Sequence, residues 1–366
     1  MKCVHKIKKL GIKGGMKMKI SIAKKAGLGF LFLSVCLCVF LVSTSSVGAA
    51  GQTVLKAAYY QPVGHPLFEL GKESLSNVEK LTSGRVKVEL YPSSTLVPTV
   101  EMASGVDEGT AFCALWYMPY MSKTIPLFNI ETLAIWSSGQ LQTVLDAYEK
   151  EGLNDLYTEA LHRQGLKNTK IAGVGECLWR VLGTKKVVRV PADIKGVKIR
   201  SVGSEADMLK SMGGSPINVT NDQTYEALSR GIAEGATNSF MMFVERGFLE
   251  YLKYFVHLNL SPVLMHIIYN TKELQKLDPR DRPIVEKAMK DVATHTREGL
   301  NRINAKHISE APAKFGTVFY NLTPADRQLW VKGASSVNEA FVKMKDKDPL
   351  VAKALDIVYK SNPPVK

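Results

Sequence analysis

Apolar and polar positions along this chain fall into two alternating rhythms. In "RVKVELYP" (85–92), Val86, Val88 and Leu90 share one face while Lys87, Glu89 and Tyr91 share the other. That period of two predicts a strand with one buried side. "QTVLKAAYYQ" (52–61) opens as a short apolar strand and ends in the polar loop "QPVGHP". Between these two, Leu75, Val78 and Leu81 recur at helical spacing and Gly84 stops the run. Strand, helix and strand in succession form the unit of a parallel sheet. A helix around 100–108 then leads into "GTAFCALWYMP" (109–119), an apolar strand that ends in aromatics.

The middle of the chain repeats the logic. "LKNTKIAGVG" (166–175) reads as a strand, and "ADIKGVKIRSVG" carries another, with Val197 and Ile199 on one face and a break at Gly203. A helix over 204–212 precedes "GGSPINV", and "DQTYEALSRG" is a short helix before a turn at "IAEGATNSF". "EYLKYFVHLNLS" and "VLMHIIYN" read as β segments. From "LDPRDRPIVEKAMK" onward the pattern is helical, with Asp278 as an N-cap before Pro279 and Thr323 before Pro324. The class is α/β, with two sheet-based lobes and a helical C-terminal third.

Composition changes this picture mainly at the N-terminus. The chain has 366 residues, 45% of them hydrophobic, and a formal charge of +14. That is enough to bury a large core, and two domains is the natural expectation. Nine of the 48 basic residues lie in positions 1–50, which hold no acid; the rest, 39 basic against 34 acidic, is near balance. The basicity therefore belongs to a leader and does not mark a nucleic-acid partner. The lysine-rich start precedes the 17-residue apolar run "AGLGFLFLSVCLCVFLV" and the small residues "STSSVGAAG". These are the three regions of a secretory signal peptide, with cleavage expected after Ala49 or Ala50 and export to the periplasm. A retained anchor is the alternative, since the run sits at the lower edge of spanning length. Beyond the leader only Cys113 and Cys177 remain, either as one disulfide or as two buried thiols.

Catalytic patterns are thin. There is no GxSxG nucleophile elbow and no HExxH zinc helix, and the histidines at 65, 162, 257, 266, 295 and 307 lack close ligand spacing. "GVGECL" is the nearest approach to a phosphate loop and lacks the third glycine. The expectation is a protein without catalytic residues, metal or cofactor. What remains is a set of polar and aromatic residues where strands end, the place at which open α/β sheets bind ligands. Arg200 ends a strand, Arg180 follows Trp179 in "ECLWRVLG", and Asn238 follows "EGAT". Trp116 and Tyr117 end another strand, Gln61 and His65 sit in the first polar loop, and Phe240 follows Asn238 closely. Two guanidinium forks and an amide suit a carboxylate or sulfonate. Taken singly, an arginine is ordinarily a solvated charge and a tryptophan ordinarily packing.

Taken together, "RVPADIKGVKIRSVGSEADMLKSMGGSPINVTNDQTYEALSRGIAEGATNSF" resembles the central signature of the DctP family, the extracytoplasmic solute receptors of TRAP transporters. Members read Pro-x-Asp-Leu-Lys-Gly-Leu-Lys-Ile-Arg, Leu-Gly-Ala-x-Pro-Val, Glu-x-Tyr-x-Ala-Leu-x-x-Gly and Asp-Gly-Ala-Glu-Asn; here the matching stretches are 191–200, 212–217, 225–231 and 234–238. "KLTSGRVKVELYPSSTL" (80–96) is similar to the family's N-terminal strand. The resemblance implies a two-lobed periplasmic-binding-protein fold with a ligand cleft between the lobes and long C-terminal helices. Residues 51–173, completed by parts of 262–366, would form lobe I, and 174–261 the core of lobe II. A returning strand and C-terminal helices (262–366) would pack across both. It also implies a carboxylate-binding role for Arg200, a second arginine at Arg180 and a closing asparagine at Asn238. The partners implied are a small organic acid and the subunits of a sodium-driven permease, for a monomeric receptor; a binding protein feeding a membrane signalling kinase is the alternative. The chain departs from the pattern at Glu234-Gly235, at Thr237 where members carry an acid, and at Ser201-Val202 after the arginine.

Overall fold

The structure is a computed structural model that describes residues 51–136 and 140–362. The expected leader and its cleavage site lie outside the described residues. The chain opens with β1 (Thr53–Ala58) and α1 (Pro66–Leu81). Pro66 suits the first helical turn because its missing N–H is an orphan there anyway. His65 caps that turn, its Nδ1 accepting from the Leu67 N–H at 3.2 Å. Leu67, Phe68, Leu75 and Val78 form the buried face, whereas Leu81 at the end of the same stripe is exposed. β2 (Val86–Tyr91) runs parallel to β1 in the register Thr53 to Val86 through Ala58 to Tyr91. After α2 (Met102–Asp107), β3 (Cys113–Trp116) joins the other edge of β1, also parallel.

The apolar pattern assigns no element to residues 120–163. They hold short 3₁₀ turns, then α3 (Leu141–Glu149) and α4 (Leu153–Arg163). The stretch predicted to end at 175 is a single 16-residue strand, β4 (Thr169–Thr184), because Gly173 and Gly175 continue the strand instead of turning it. β5 (Lys198–Arg200), α5 (Ser204–Ser211), β6 (Ser215–Ile217) and α6 (Thr224–Ser229) follow the predicted order. The expected turn at "IAEGATNSF" is instead β7 (Gly235–Ser239), a fully buried strand, followed by α7 (Phe240–Glu245). Its small and polar residues do not read as a strand; it forms because both neighbouring strands need its backbone groups. β8 (Tyr254–Val256), β9 (Pro262–Asn270) and α8 (Thr271–Lys276) lead to α9 (Arg282–Phe315), 34 residues or about 50 Å long. β10 (Val318–Tyr320), α10 (Pro324–Val342) and α11 (Pro349–Ser361) complete the chain.

The cap expected at Asp278 falls three residues later. α9 begins after Asp281, and the buried Asp281 carboxylate accepts the Arg85 guanidinium at 3.0 and 2.6 Å. That pair ties the helix start to the entry of β2. The second predicted cap holds: Thr323 and Asp326 form a reciprocal capping box at the start of α10.

The strand order is β2-β1-β3-β9-β4-β7-β5-β6, with β8 pairing β4 and β10. β4 belongs to both halves of this path. From Thr169 to Trp179 it pairs antiparallel with β9, and from Arg180 to Thr184 it pairs with β7. The exchange of partner falls between Trp179 and Arg180. Gly183 permits the close packing beyond it: a Cβ there would stand 2.6 Å from Phe255 and 2.7 Å from Phe243. A second, smaller core gathers under the β4–β7–β5 half, with Leu182, Ile199, Met208, Leu209 and Val256 packed against Trp330 of α10. The architecture is α/β with long C-terminal helices, as expected. Cys113 and Cys177 are both buried free thiols, so the disulfide alternative does not hold. Among the described residues no helix is long and apolar enough to cross a membrane.

Candidate functional site

The exchange of partners along β4 brings the ends of three strands together. Arg180 starts the β7-paired half of β4, Arg200 ends β5, and Asn238 lies in β7 between them. β5 stops at Arg200 because the chain must turn into α5, and Gly203 makes that turn at φ +63°. A Cβ at Gly203 would also stand 2.9 Å from the Thr132 hydroxyl, which accepts the Ser204 N–H at the helix start. Arg180, Arg200, Asn238 and Tyr117 line one narrow cavity of about 20 Å³. Tyr60, Tyr120, Glu176 and Asn221 complete its polar wall, and Met242, Val263 and Met265 its apolar wall. Beyond Tyr120 and Val219 lies a wider groove of about 500 Å³, lined by Pro119, Asn129, Val202 and Gly203 among others.

The two arginines are equally buried, at 3% exposure each, but differently partnered. Arg180 Nη1 pairs with Glu205 Oε2 at 3.2 Å, and its Nη2 donates to Tyr117 Oη at 2.9 Å and the Pro262 carbonyl at 3.1 Å. Thr237 donates to the same Glu205 oxygen at 2.6 Å. Burial raises the Glu205 carboxyl above its ordinary range, and the Arg180 charge and Thr237 bond oppose that rise. Here the sequence departure at Thr237 finds its account. At the position where members carry an acid, Thr237 instead donates to an acid of another element, Glu205 on α5.

Arg200 donates its Nε to the Val219 carbonyl at 3.0 Å and its Nη1 to the Thr237 carbonyl at 3.4 Å, and its side chain also bonds the Tyr120 hydroxyl. Among the described residues it forms no ion pair. A guanidinium offers five N–H donors, so this one keeps donors to spare beside the cavity, and its charge, though it acts on Glu205, has no carboxylate in contact. Asn238 is held by its own bonds: Nδ2 donates to Asn221 Oδ1 at 2.9 Å, and Oδ1 accepts the Ser239 N–H at 2.8 Å. Asn221 in turn donates its backbone N–H to Tyr120 Oη at 3.1 Å.

Other candidates lie elsewhere. Trp116 is fully buried, donating to the Thr99 carbonyl at 2.8 Å, and does not line the cavity. Phe240 packs into a cluster with Phe243, Phe255 and Phe319, and the half-buried Trp179 packs against the main core. His65 serves the α1 cap; burial first, and the Arg246 charge second, lower its imidazole to about 3, so it is neutral. Gln61 is fully buried, with neither side-chain amide atom hydrogen-bonded. Burial raises both cysteine thiols, Cys113 to about 12, which leaves them unreactive. Among the described residues no group of three or more His, Cys, Asp or Glu side chains gathers as a metal site.

Sequence reasoning missed Glu176. It is fully buried, one oxygen accepting from the Ser239 hydroxyl at 2.8 Å and the other without a partner. Burial raises its carboxyl to about 7, against the lowering effect of Ser239 and Arg180. The signal was an acid inside the apolar strand "VGECLW", since buried acids are rare unless they serve a purpose.

A strand exchanging partners beneath a cavity lined by strand-end arginines defines a two-lobed α/β binding protein. The model of the bacterial extracellular solute-binding protein family 7, DctP, matches residues 57–344, and the chain belongs to that family, the TRAP transporter solute receptors. A relative, YiiZ of Salmonella typhimurium, is 27% identical over 296 residues, covering 77% of this chain and 86% of its own. Two solved receptors share the fold. One from Haemophilus influenzae with bound L-gulonate has TM-score 0.73 at 21% identity, covering 85% of this chain and 99% of its own. One from Sulfurospirillum deleyianum with bound succinate has TM-score 0.73 at 20% identity, covering 84% and 99%.

Proposed function

We propose that this chain is an exported, non-enzymatic receptor that captures a small organic acid anion in the periplasm and hands it to a sodium-driven TRAP permease. The observation that carries the reading is Arg200, a buried guanidinium with two carbonyls and the Tyr120 hydroxyl as partners, no ion-pair partner among the described residues, and a place on the cavity wall. A carboxylate in the cavity would supply the missing countercharge, bidentately if it meets the guanidinium edge. Arg180 and Asn238 would position the ligand, one through its Tyr117 contact and the other through its remaining amide N–H. Relatives of the same fold bind gulonate and succinate, which agrees in ligand class.

The test is calorimetric titration of the mature protein against a library of carboxylates and sulfonates, repeated on Arg200→Ala. Binding of at least one acid that the variant loses supports the reading; unchanged affinity in the variant sinks the role of Arg200. Uptake of the same acid into sodium-energised vesicles carrying the cognate permease, dependent on added receptor, tests delivery.

A further inference from the structure

The cavity holds charges of both signs, and their pairing constrains the ligand. Arg180 and Glu205 cancel each other at 3.2 Å. Arg200 remains positive without a carboxylate partner. Facing the same cavity is Glu176, whose Oε1 is taken by Ser239 while Oε2 is buried and has no partner. The site therefore asks for one negative group at Arg200 and one hydrogen-bond donor at Glu176. A second carboxylate would meet an acceptor-only oxygen of like charge; the Arg180 charge beside it is already paired with Glu205, and Arg246 donates to the Tyr60 carbonyl at 3.4 Å.

Resting on the organic-acid reading above, we propose that the site selects monocarboxylates whose opposite polar end donates a hydrogen bond to Glu176. Hydroxy acids and acids with a distal N–H fit; dicarboxylates of the same length are rejected. Glu176 acts here as a specificity-determining residue. Its rejection of a second carboxylate weakens at low pH, where its protonated form can donate to that group.

On β4 Glu176 neighbours Cys177 and Arg180; Ser239 faces it from β7 and Arg200 from β5. Tyr60, from the segment after β1, and Cys177 are both pushed up by burial and stay neutral. On β9, Met265 is its cross-strand neighbour, and the nearby His266 is occupied by Glu131 at 2.8 Å. Arg297 of α9 pairs with Glu149 of α3 at 2.6 Å. Burial raises Glu176 itself to about 7.

The experiment titrates the mature protein with pairs that exchange one carboxylate for a hydroxymethyl group at equal length: 3-hydroxypropionate against malonate, 4-hydroxybutyrate against succinate, galactonate against galactarate. At pH 8.5 the hydroxy monocarboxylate should bind at least ten-fold more tightly in any pair that binds, about 1.4 kcal/mol or more. That preference should shrink at pH 6. In Glu176→Gln, whose amide can donate to a carboxylate, the preference should fall several-fold and lose its pH dependence. The wild-type pH comparison stands even if the variant does not fold. A dicarboxylate that binds as tightly as its partner at pH 8.5, or a preference unchanged in Glu176→Gln, overturns the proposal. So does binding of only acids that carry no donor, which leaves the receptor reading intact. Binding of no organic acid at all overturns both.

Discussion

Arg180 and Arg200 are the same residue at the same depth, about twenty positions apart, and the fold treats them in opposite ways. Arg180 sits on β4 where three elements converge; Glu205 pairs with its charge and Tyr117 and the Pro262 carbonyl accept from Nη2, which leaves its buried Nε without a partner. Arg200 sits at the open end of β5 and meets two carbonyls and the Tyr120 hydroxyl, with no contacting carboxylate among the described residues. A buried charge paired within the protein is part of the framework. One left unpaired at a cavity wall is a demand on whatever enters. Burial alone does not separate a binding residue from a structural one; the inventory of partners does.

The comparison can be broken by removing each partner in turn. The largest effect is expected for Glu205→Ala, which strands the Arg180 charge. It should destabilise the unliganded protein by about 3–5 kcal/mol, read by chemical unfolding. A loss under about 1 kcal/mol would mean that Arg180 does not depend on that pair. Next comes Arg200→Ala, expected to weaken acid binding by about 2–5 kcal/mol in calorimetry while the melting temperature of the unliganded protein moves little. A large drop in melting temperature with affinity retained would reverse the two roles.

Glu176 gives a third test through pH. Its folded carboxyl is raised to about 7 against an ordinary value near 4.5, so the native state binds more protons between those values. The stability it contributes is present in full below about pH 4.5 and is lost as pH rises through 7, by roughly 3 kcal/mol at most. Glu176→Gln should flatten that part of the stability profile of the unliganded protein. An identical slope in the variant would assign it elsewhere. The smallest effect is expected for Thr237→Val, which removes one bond to Glu205 and should cost about 1 kcal/mol of stability with little change in affinity.

Much of this was legible along the chain. The alternation in β2, the stripe of α1, the Thr323 capping box and the strand that stops at Arg200 are local patterns, written within a few residues of one another. β7 was not, because "GATNS" has no strand-like polarity and is drawn into the sheet by β4 and β5 on either side. Glu176 escaped for the same reason. Its neighbours in sequence describe a buried strand, while its cavity and its Ser239 partner come from elsewhere in the chain. Trp116 and Phe240 stand at strand ends, as pocket residues often do, yet their rings turn into the core.

By itself, then, the sequence determined the class, the order of most elements and the family, since periodicity, caps and contiguous motifs are short-range. Only the tertiary structure decided which arginine has a carboxylate in contact, that Thr237 bonds Glu205, and that Glu176 lines the cavity. Electrostatic pairing and burial depend on distance in space, and residues 25 or 63 positions apart, as Arg180 is from Glu205 and Ser239 from Glu176, carry no local mark of having met.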